Sequence, residues 1–254
     1  MRTPGDVPIL DHDDDPDDLI SAAQRAQSRV ALPERAVLTL LGDVVPPYAA
    51  ERGFEVVDEV ETIIRRHPIM IGQHRGVDVA LIEIPLGGPA ATILFEHAIM
   101  SGVRSAVAVG SCGGLVHFDE GAFVLPTKAL RAEGTSYHYL PAADWVDTDA
   151  GLRDACARAV ADAGLHAVEV PTWTTDAFYR ETRATLEARL AQGCQVVEME
   201  CASLAACAQF RGVSFAQILY TADTLAGEDW DARRFGKDAR EVGLRLALDA
   251  ATTA

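Results

Sequence analysis

Six short runs rich in β-branched and other apolar residues, each ended by or closely followed by Gly, Pro or Asp, recur along this chain: "AVLTLLGD" (36–43), "VDVALIEIP" (77–85), "SAVAVGSCGG" (105–114), "AFVLPTKAL" (122–130), "HAVEVPTWTTD" (166–176) and "SFAQILYTAD" (214–223). Several are apolar at successive rather than alternate positions, the pattern of a strand covered on both faces. Helical patterns lie between and after them: "AATILFEHAIMSG" (90–102), "DAGLRDACARAVADAG" (149–164) stopped at Gly164, "ECASLAACAQFRG" (200–212) stopped at Gly212, and a last helix in "DAREVGLRLALDAA" (238–251). Strands buried on both sides and joined by helices predict an α/β protein, a single domain with a central mixed β-sheet flanked by helices. That domain is expected over residues 36–254, and residues 1–35 read as an acidic N-terminal arm carrying a helix.

Composition narrows the function classes. At 254 residues and 49% hydrophobic, the chain can bury one sizeable core. Its formal net charge of −16 disfavours nucleic acid and anionic membranes as partners and favours a small-molecule substrate. The sequence contains neither an apolar run long enough to span a membrane nor a secretory signal pattern, so a cytoplasmic location is expected. Cys112, Cys156, Cys194, Cys201 and Cys207 contain no C-x-x-C pair, which argues against a disulfide framework and a structural zinc site and for small core residues. "DHDDDPDD" spaces Asp11, Asp13 and Asp15 like a calcium loop, but Pro16 stands where a glycine is needed and Ala22 where a bidentate Glu belongs. No metal is expected.

In sheets of this kind ligands collect at the carboxyl ends of the strands. Those exits carry Gly42 and Asp43, then Gly87 and Gly88 in "PLGGPA", then "GSCGG", then "TTDAFYR", then Asp223. The glycine-rich turns let backbone N–H groups approach an anion, although "GSCGG" lacks the lysine of a P-loop and "PLGGPA" lacks dinucleotide spacing. Just before the third helix stands "VVEMECASLAA", with Glu198 and Glu200 around Met199. Two acids at the start of a helix complement its dipole, which is the structural alternative to a functional role.

Taken in order, Gly42-Asp43, Gly87-Gly88-Pro89, "GSCG" (110–113), "DAFY" (176–179), "EME" (198–200) and Ala222-Asp223 resemble the nucleoside phosphorylase and nucleosidase superfamily, which includes hexameric bacterial purine nucleoside phosphorylase, uridine phosphorylase and methylthioadenosine nucleosidase. The resemblance runs from about Leu38 to about Asp229, and Glu-Met-Glu followed some twenty residues later by a strand-terminal Asp is its specific part. "RAEGTSYHYLP" is similar to phosphorylase-like members of the same superfamily.

The resemblance implies cleavage of a nucleoside N-glycosidic bond and gives the residues roles. Glu200 accepts hydrogen bonds from the ribose 2′ and 3′ hydroxyls, and Met199 packs on the sugar beside Glu198. Asp223 donates a proton to N7 of a purine leaving group. Phe178 stacks on the base, the alternative being core packing. His138 and Tyr137 stand as candidates for the ribose 5′ side or the base. Arg180 follows "DAFY", but the Gln of a uracil-reading Gln and Arg pair is missing, so a purine is preferred. Ala222 replaces the serine usual before this Asp. Trp173 and Trp230 read as core or lid residues.

Phosphate is expected at Gly42, Ser111 and Arg65, the last aligned with the arginine that uridine phosphorylase takes from a neighbouring subunit, which implies a homo-oligomer, dimer or hexamer. Two other arginine positions of the family read Pro46 and Ala108. No cofactor is expected beyond inorganic phosphate as co-substrate. Phosphorolysis to ribose 1-phosphate is the leading reading, hydrolysis the alternative with Asp43 or Glu51 to activate water, and a non-catalytic nucleoside binder the further one.

Overall fold

The computed structural model describes residues 7–20 and 30–253. Its strands are β1 (Arg35–Thr39), β2 (Glu55–Glu61), β3 (Arg66–His74), β4 (Val77–Glu83), β5 (Ser105–Gly114), β6 (Phe123–Ala132), β7 (Trp145–Asp147), β8 (Ala167–Thr175), β9 (Val196–Glu198) and β10 (Ser214–Thr224). The α-helices are α1 (Val45–Glu51), α2 (Gly88–Met100), α3 (Ala150–Asp162), α4 (Arg183–Ala191), α5 (Cys201–Arg211) and α6 (Arg240–Thr253). All six strands expected from the apolar runs form, as do the four expected helices.

β1 lies parallel between β4 and β5, and β5 is parallel to β10. β10 pairs antiparallel with β6, β6 parallel with β8, β8 parallel with β9, and β9 antiparallel with β5. These five strands therefore close on themselves, while β1, β4, β3 and β2 extend the sheet outward. Successive residues of β1 explain the continuous apolar runs. Val37 belongs to the buried cluster that also holds Tyr48 of α1, Leu152 of α3 and Leu244 of α6, whereas Leu38 belongs to the one that holds Phe95 of α2 and Leu204 of α5. All five cysteines are buried and free, as expected of core residues.

Local chemistry sets the helix limits. The Asp149 side chain accepts the Leu152 N–H at 2.7 Å to start α3, and Gly212 ends α5 in the left-handed region, at φ 68°. β3 and β4 form a hairpin whose two turn residues, Arg75 and Gly76, both have positive φ (51° and 78°). The N-terminal arm forms a 3₁₀ turn at Pro8–Leu10, and Arg211 holds it by donating to the Pro16 carbonyl at 2.8 Å and pairing with Asp18 at 3.0 Å. Apart from Leu19 and Ile20, the helix expected in this arm lies outside the described residues. In the candidate calcium stretch, Asp13 and Asp15 instead accept the N–H groups of Asp15 and Asp17 at 3.1 and 3.0 Å. Among the described residues no helix is long and apolar enough to cross a membrane.

Gly72 of β3 lies against the ring of Phe54, where an added Cβ would stand 2.6 Å from Cγ. Gly72→Ala should lower stability by about 1–3 kcal/mol, the cost of overpacking a buried contact. A urea midpoint equal to that of the parent protein would mean that the ring moves aside freely.

Candidate active site

The strand exits converge around the last turns of β5. Gly113 faces Val197 of β9 on one side and Asp223 of β10 on the other. A Cβ there would lie 3.1 Å from Val197 Cγ1 and 3.3 Å from Asp223 Oδ1, so the glycine permits close approach of two strands. "GSCGG" is thus strand rather than loop. Cys112 lies between the two acidic elements: burial pushes its thiol well up, and Glu198 and Asp223 add to the effect.

Glu198 ends β9, and its carboxylate is satisfied by the protein. Oε2 accepts the N–H groups of Glu200 and Cys201 at 2.8 and 2.7 Å, and Oε1 accepts the Thr174 hydroxyl at 2.6 Å. These donors and the N-terminus of α5 stabilise a buried carboxylate, although burial still pushes its pKa up. Glu200 is the N-cap residue of α5; its Oε1 accepts the Gly87 N–H at 2.6 Å, and the Met199 backbone also bonds the carboxyl. Gly87 has φ 92°, which turns that N–H toward the carboxyl. Burial first, then the neighbouring Glu198, raises the pKa of Glu200 to about 8. α2 and α5 come so close that a Cβ on Gly88 would collide with Ser203 Oγ. Met199 is half-buried between the two acids.

Asp223 follows a bulge in β10: Thr221 pairs with Cys112 and Asp223 with Gly113, leaving Ala222 as the extra residue. Its Oδ2 accepts the indole N–H of Trp230 at 2.6 Å. Phe178 stands edge-on to Trp230, with ring centroids 6.4 Å apart. Beside them Glu181 has its pKa raised to about 7, by burial first and then by Asp223.

Gly42, Arg65, Ser111 and Glu200 line one cavity of about 590 Å³ together with His67. Gly42 has φ 59° and open space at the Cβ position. Arg65 pairs with Glu83. His67 is buried, its pKa lowered by desolvation and then by Arg65, and its Nδ1 has no hydrogen-bond partner among the described residues. Next to Gly42, Arg240 donates to Asp43 Oδ1 at 3.3 Å and also bonds the Tyr220 hydroxyl, which contacts Ser111, while its buried Nε is unpartnered among the described residues.

The structure therefore brings Glu200, Gly42, Arg65 and Ser111 to one cavity, and Asp223 and Phe178 to the aromatic cluster. His138 is exposed and lines a different cavity, of about 930 Å³, beside Asp176 and the N-terminal arm. Arg180 is exposed at the end of the 3₁₀ turn Phe178–Arg180. Tyr137 lies under the Arg131 guanidinium and donates to the Arg131 carbonyl at 3.0 Å. Arg131 also donates to Ser136 and to the Leu140 and Pro141 carbonyls, so "RAEGTSYHYLP" is a loop built around one buried cation. Sequence reasoning missed Glu181, Arg240 and the bond from Trp230 to Asp223. The first two carry no motif, since only folding brings residue 240 to residue 43.

Glu200 and Glu181 bind protons more readily in the folded chain than their ordinary value of 4.5 implies for the unfolded one. Between about pH 4.5 and 8 the folded state holds the extra protons, so unfolding free energy falls as pH rises through that window. The lowered pKa of His67 acts in the opposite sense around pH 6.5, so the melting temperature should decline most clearly from pH 7 to pH 8, and Glu200→Gln should flatten the decline. An identical slope in the variant would place the titration elsewhere.

The sequence model of the phosphorylase superfamily matches residues 34–251. The chain is 27% identical to a guanosine phosphorylase of Halorubrum lacusprofundi, over 81% of this chain and 90% of that protein. In fold it is similar to a uridine phosphorylase of Vibrio fischeri, with a TM-score of 0.77 and 18% identity over 88% of this chain and 93% of the other. It is similar also to an AMP nucleosidase of Bacteroides thetaiotaomicron, with a TM-score of 0.71 and 22% identity over 87% and 89%. With a match to nearly its whole length and the acids of Glu-Met-Glu and the strand-terminal Asp set around one strand, the chain belongs to the phosphorylase superfamily.

Proposed function

We propose that this protein cleaves the N-glycosidic bond of a nucleoside, with a purine as the preferred base and inorganic phosphate as the acceptor. The observation that carries the reading is the placement of two buried carboxyls, Glu200 and Asp223, about β5, one lining the cavity of Gly42 and Ser111 and the other bonded to Trp230, whose ring meets Phe178. A phosphate oxygen attacks C1′ while the bond from C1′ to the base nitrogen breaks. The bonding pair leaves with the base, Asp223 supplies the proton at N7, and ribose 1-phosphate and free base result. Glu200 accepts the ribose 2′ and 3′ hydroxyls. Those two donors favour its ionised form, offsetting the burial that raises its pKa, and the resulting carboxylate steadies positive charge growing on the sugar. Met199 packs on the ribose, and Glu198 positions Glu200 through the backbone.

Purine preference draws on the missing Gln of the uracil-reading pair and on the guanosine phosphorylase relative. Phosphate binds at the Gly42 N–H, Ser111 and Arg65, with Arg240, bonded to Asp43 and to the Tyr220 hydroxyl, as a further cation to offset Pro46 and Ala108. Those two substitutions are the specific reason to keep hydrolysis as the second reading. Ile63, Ile64, Leu86 and Ile93 are exposed around the same cavity, and covering them with a second copy of the chain supports a homo-oligomer. A cytoplasmic location goes with this reading.

A panel of nucleosides assayed for free base decides between the two. Phosphorolysis predicts ribose 1-phosphate and a rate that rises with phosphate; full-rate release of free ribose without phosphate would replace it with hydrolysis. Glu200→Ala and Asp223→Asn should each lower kcat by roughly tenfold to a hundredfold while the fold persists. A near-parental rate in either removes that residue from the chemistry. Ile63→Asp with Ile64→Asp should shift the mass measured by light scattering toward the monomer, and an active monomer of the parent protein would overturn the oligomer.

A further inference from the structure

The aromatic group over Asp223 has the shape and polarity of the reaction's own leaving group. Trp230 points its indole N–H at Asp223 Oδ2 from 2.6 Å. Its ring stands edge-to-face on Phe178 at an interplanar angle of 85° and is tilted against Phe235 at 6.2 Å. A purine protonated at N7 is likewise a fused bicyclic aromatic, with an N–H aimed at the same carboxylate and a ring lying against the same phenylalanine. The two cannot hold Asp223 Oδ2 and the adjoining space together.

Trp230 is also placed to move. It remains 51% exposed despite its partners, so little core is lost if it leaves. It sits at the end of a loop fastened on both sides: Thr224 and Asp231 exchange backbone hydrogen bonds of 3.0 Å, and Arg183 donates to the carbonyls of Gly227 and Glu228 at 2.9 and 2.6 Å. Just beyond it, Arg233 and Phe235 adopt positive φ of 47° and 55°, before Gly236 at 58°. Left-handed backbone at two residues other than glycine marks a segment held away from its preferred conformation.

We propose that the indole of Trp230 fills the nucleobase subsite of the unliganded protein and that the arriving base displaces it, taking over both Asp223 and Phe178. The proposal rests on the assignment of Asp223 and Phe178 to the base. A fused two-ring base with a nitrogen facing Asp223 recovers what the indole gives up, whereas a single-ring pyrimidine recovers less. Trp230 is in this way a specificity-determining residue. While the indole is seated the competent fraction of the protein is reduced, and apparent affinity for base falls by that fraction.

The test is calorimetric binding of guanine and of hypoxanthine to the full chain, Trp230→Ala and Trp230→Phe. The alanine variant should bind at least roughly fivefold more tightly than the parent, and the phenylalanine variant, which keeps a ring and loses the N–H, should fall between. In protein labelled with 5-fluorotryptophan, the ¹⁹F resonance that Trp230→Phe abolishes should move on adding guanine, and in Asp223→Asn it should be displaced without any ligand. Equal or weaker binding by Trp230→Ala, or a resonance unmoved at saturating guanine, makes the indole a fixed wall and overturns the proposal while leaving the reaction intact. If neither base binds parent or variant and no nucleoside is cleaved, the assignment of the site falls and this proposal with it.

Discussion

The carboxylate of Glu198 organises the site without facing it. One oxygen takes the N–H groups of Glu200 and Cys201, and the other takes the Thr174 hydroxyl, so a single side chain ties β9, β8 and the first turn of α5 together. Burying a carboxylate is costly unless hydrogen bonds and favourable dipoles replace its water, and here three good donors and a helix N-terminus do so. The orientation of Glu200 follows from this arrangement, because its own N–H is one of those donors. The Glu200 carboxyl is bonded by the backbone of Gly87 and of Met199 and lines the cavity of Gly42 and Ser111. Two acids one residue apart thus divide the work, one spent inward and the other kept available.

A second buried polar centre is tied to the same helix. Arg131 gathers the backbone of residues 131–141 around its guanidinium, and Glu133 accepts from the Ser136 N–H at 3.0 Å and the Ser203 hydroxyl at 2.7 Å. Ser203 belongs to α5, so the loop is registered to the same helix that Glu198 starts. In a chain of formal charge −16, Arg65 is a local exception where it lines the cavity beside Gly42 and Ser111.

Much of this architecture was legible in the sequence, and what was hidden has identifiable reasons. The central strands declared themselves because both their faces are buried, so Val37 and Leu38 are equally apolar. β2 did not: "EVVDEVE" is mostly exposed and reads as a charged segment. β3 carries Pro68 and Gly72, and its hairpin turn uses Arg75-Gly76 in place of an Asn-Gly signal, so neither strand nor turn announces itself. α1 was obscured by Pro46 and Pro47, which are tolerated because first-turn N–H groups need no helical partner. At the site, Glu-Met-Glu and Asp223 were readable as a pattern. The bond from Trp230, the proximity of Glu181 and the arrival of Arg240 depend on loops and on chain ends meeting, which no local periodicity encodes.

The closure of β5, β10, β6, β8 and β9 into a ring has a mechanical consequence. A strand with a neighbour on each side has no free edge from which to peel, so its amides exchange with solvent only through large openings. Glu198 and Asp223 are carried on two members of that ring, and their spacing is therefore as stiff as the barrel itself. Phe178 and Trp230 stand outside that ring, Phe178 in a short 3₁₀ turn and Trp230 in a loop pinned by the pairing of Thr224 with Asp231. The two carboxyls are thus fixed by paired strands, whereas the aromatic side chains beside Asp223 are held by turns and loops.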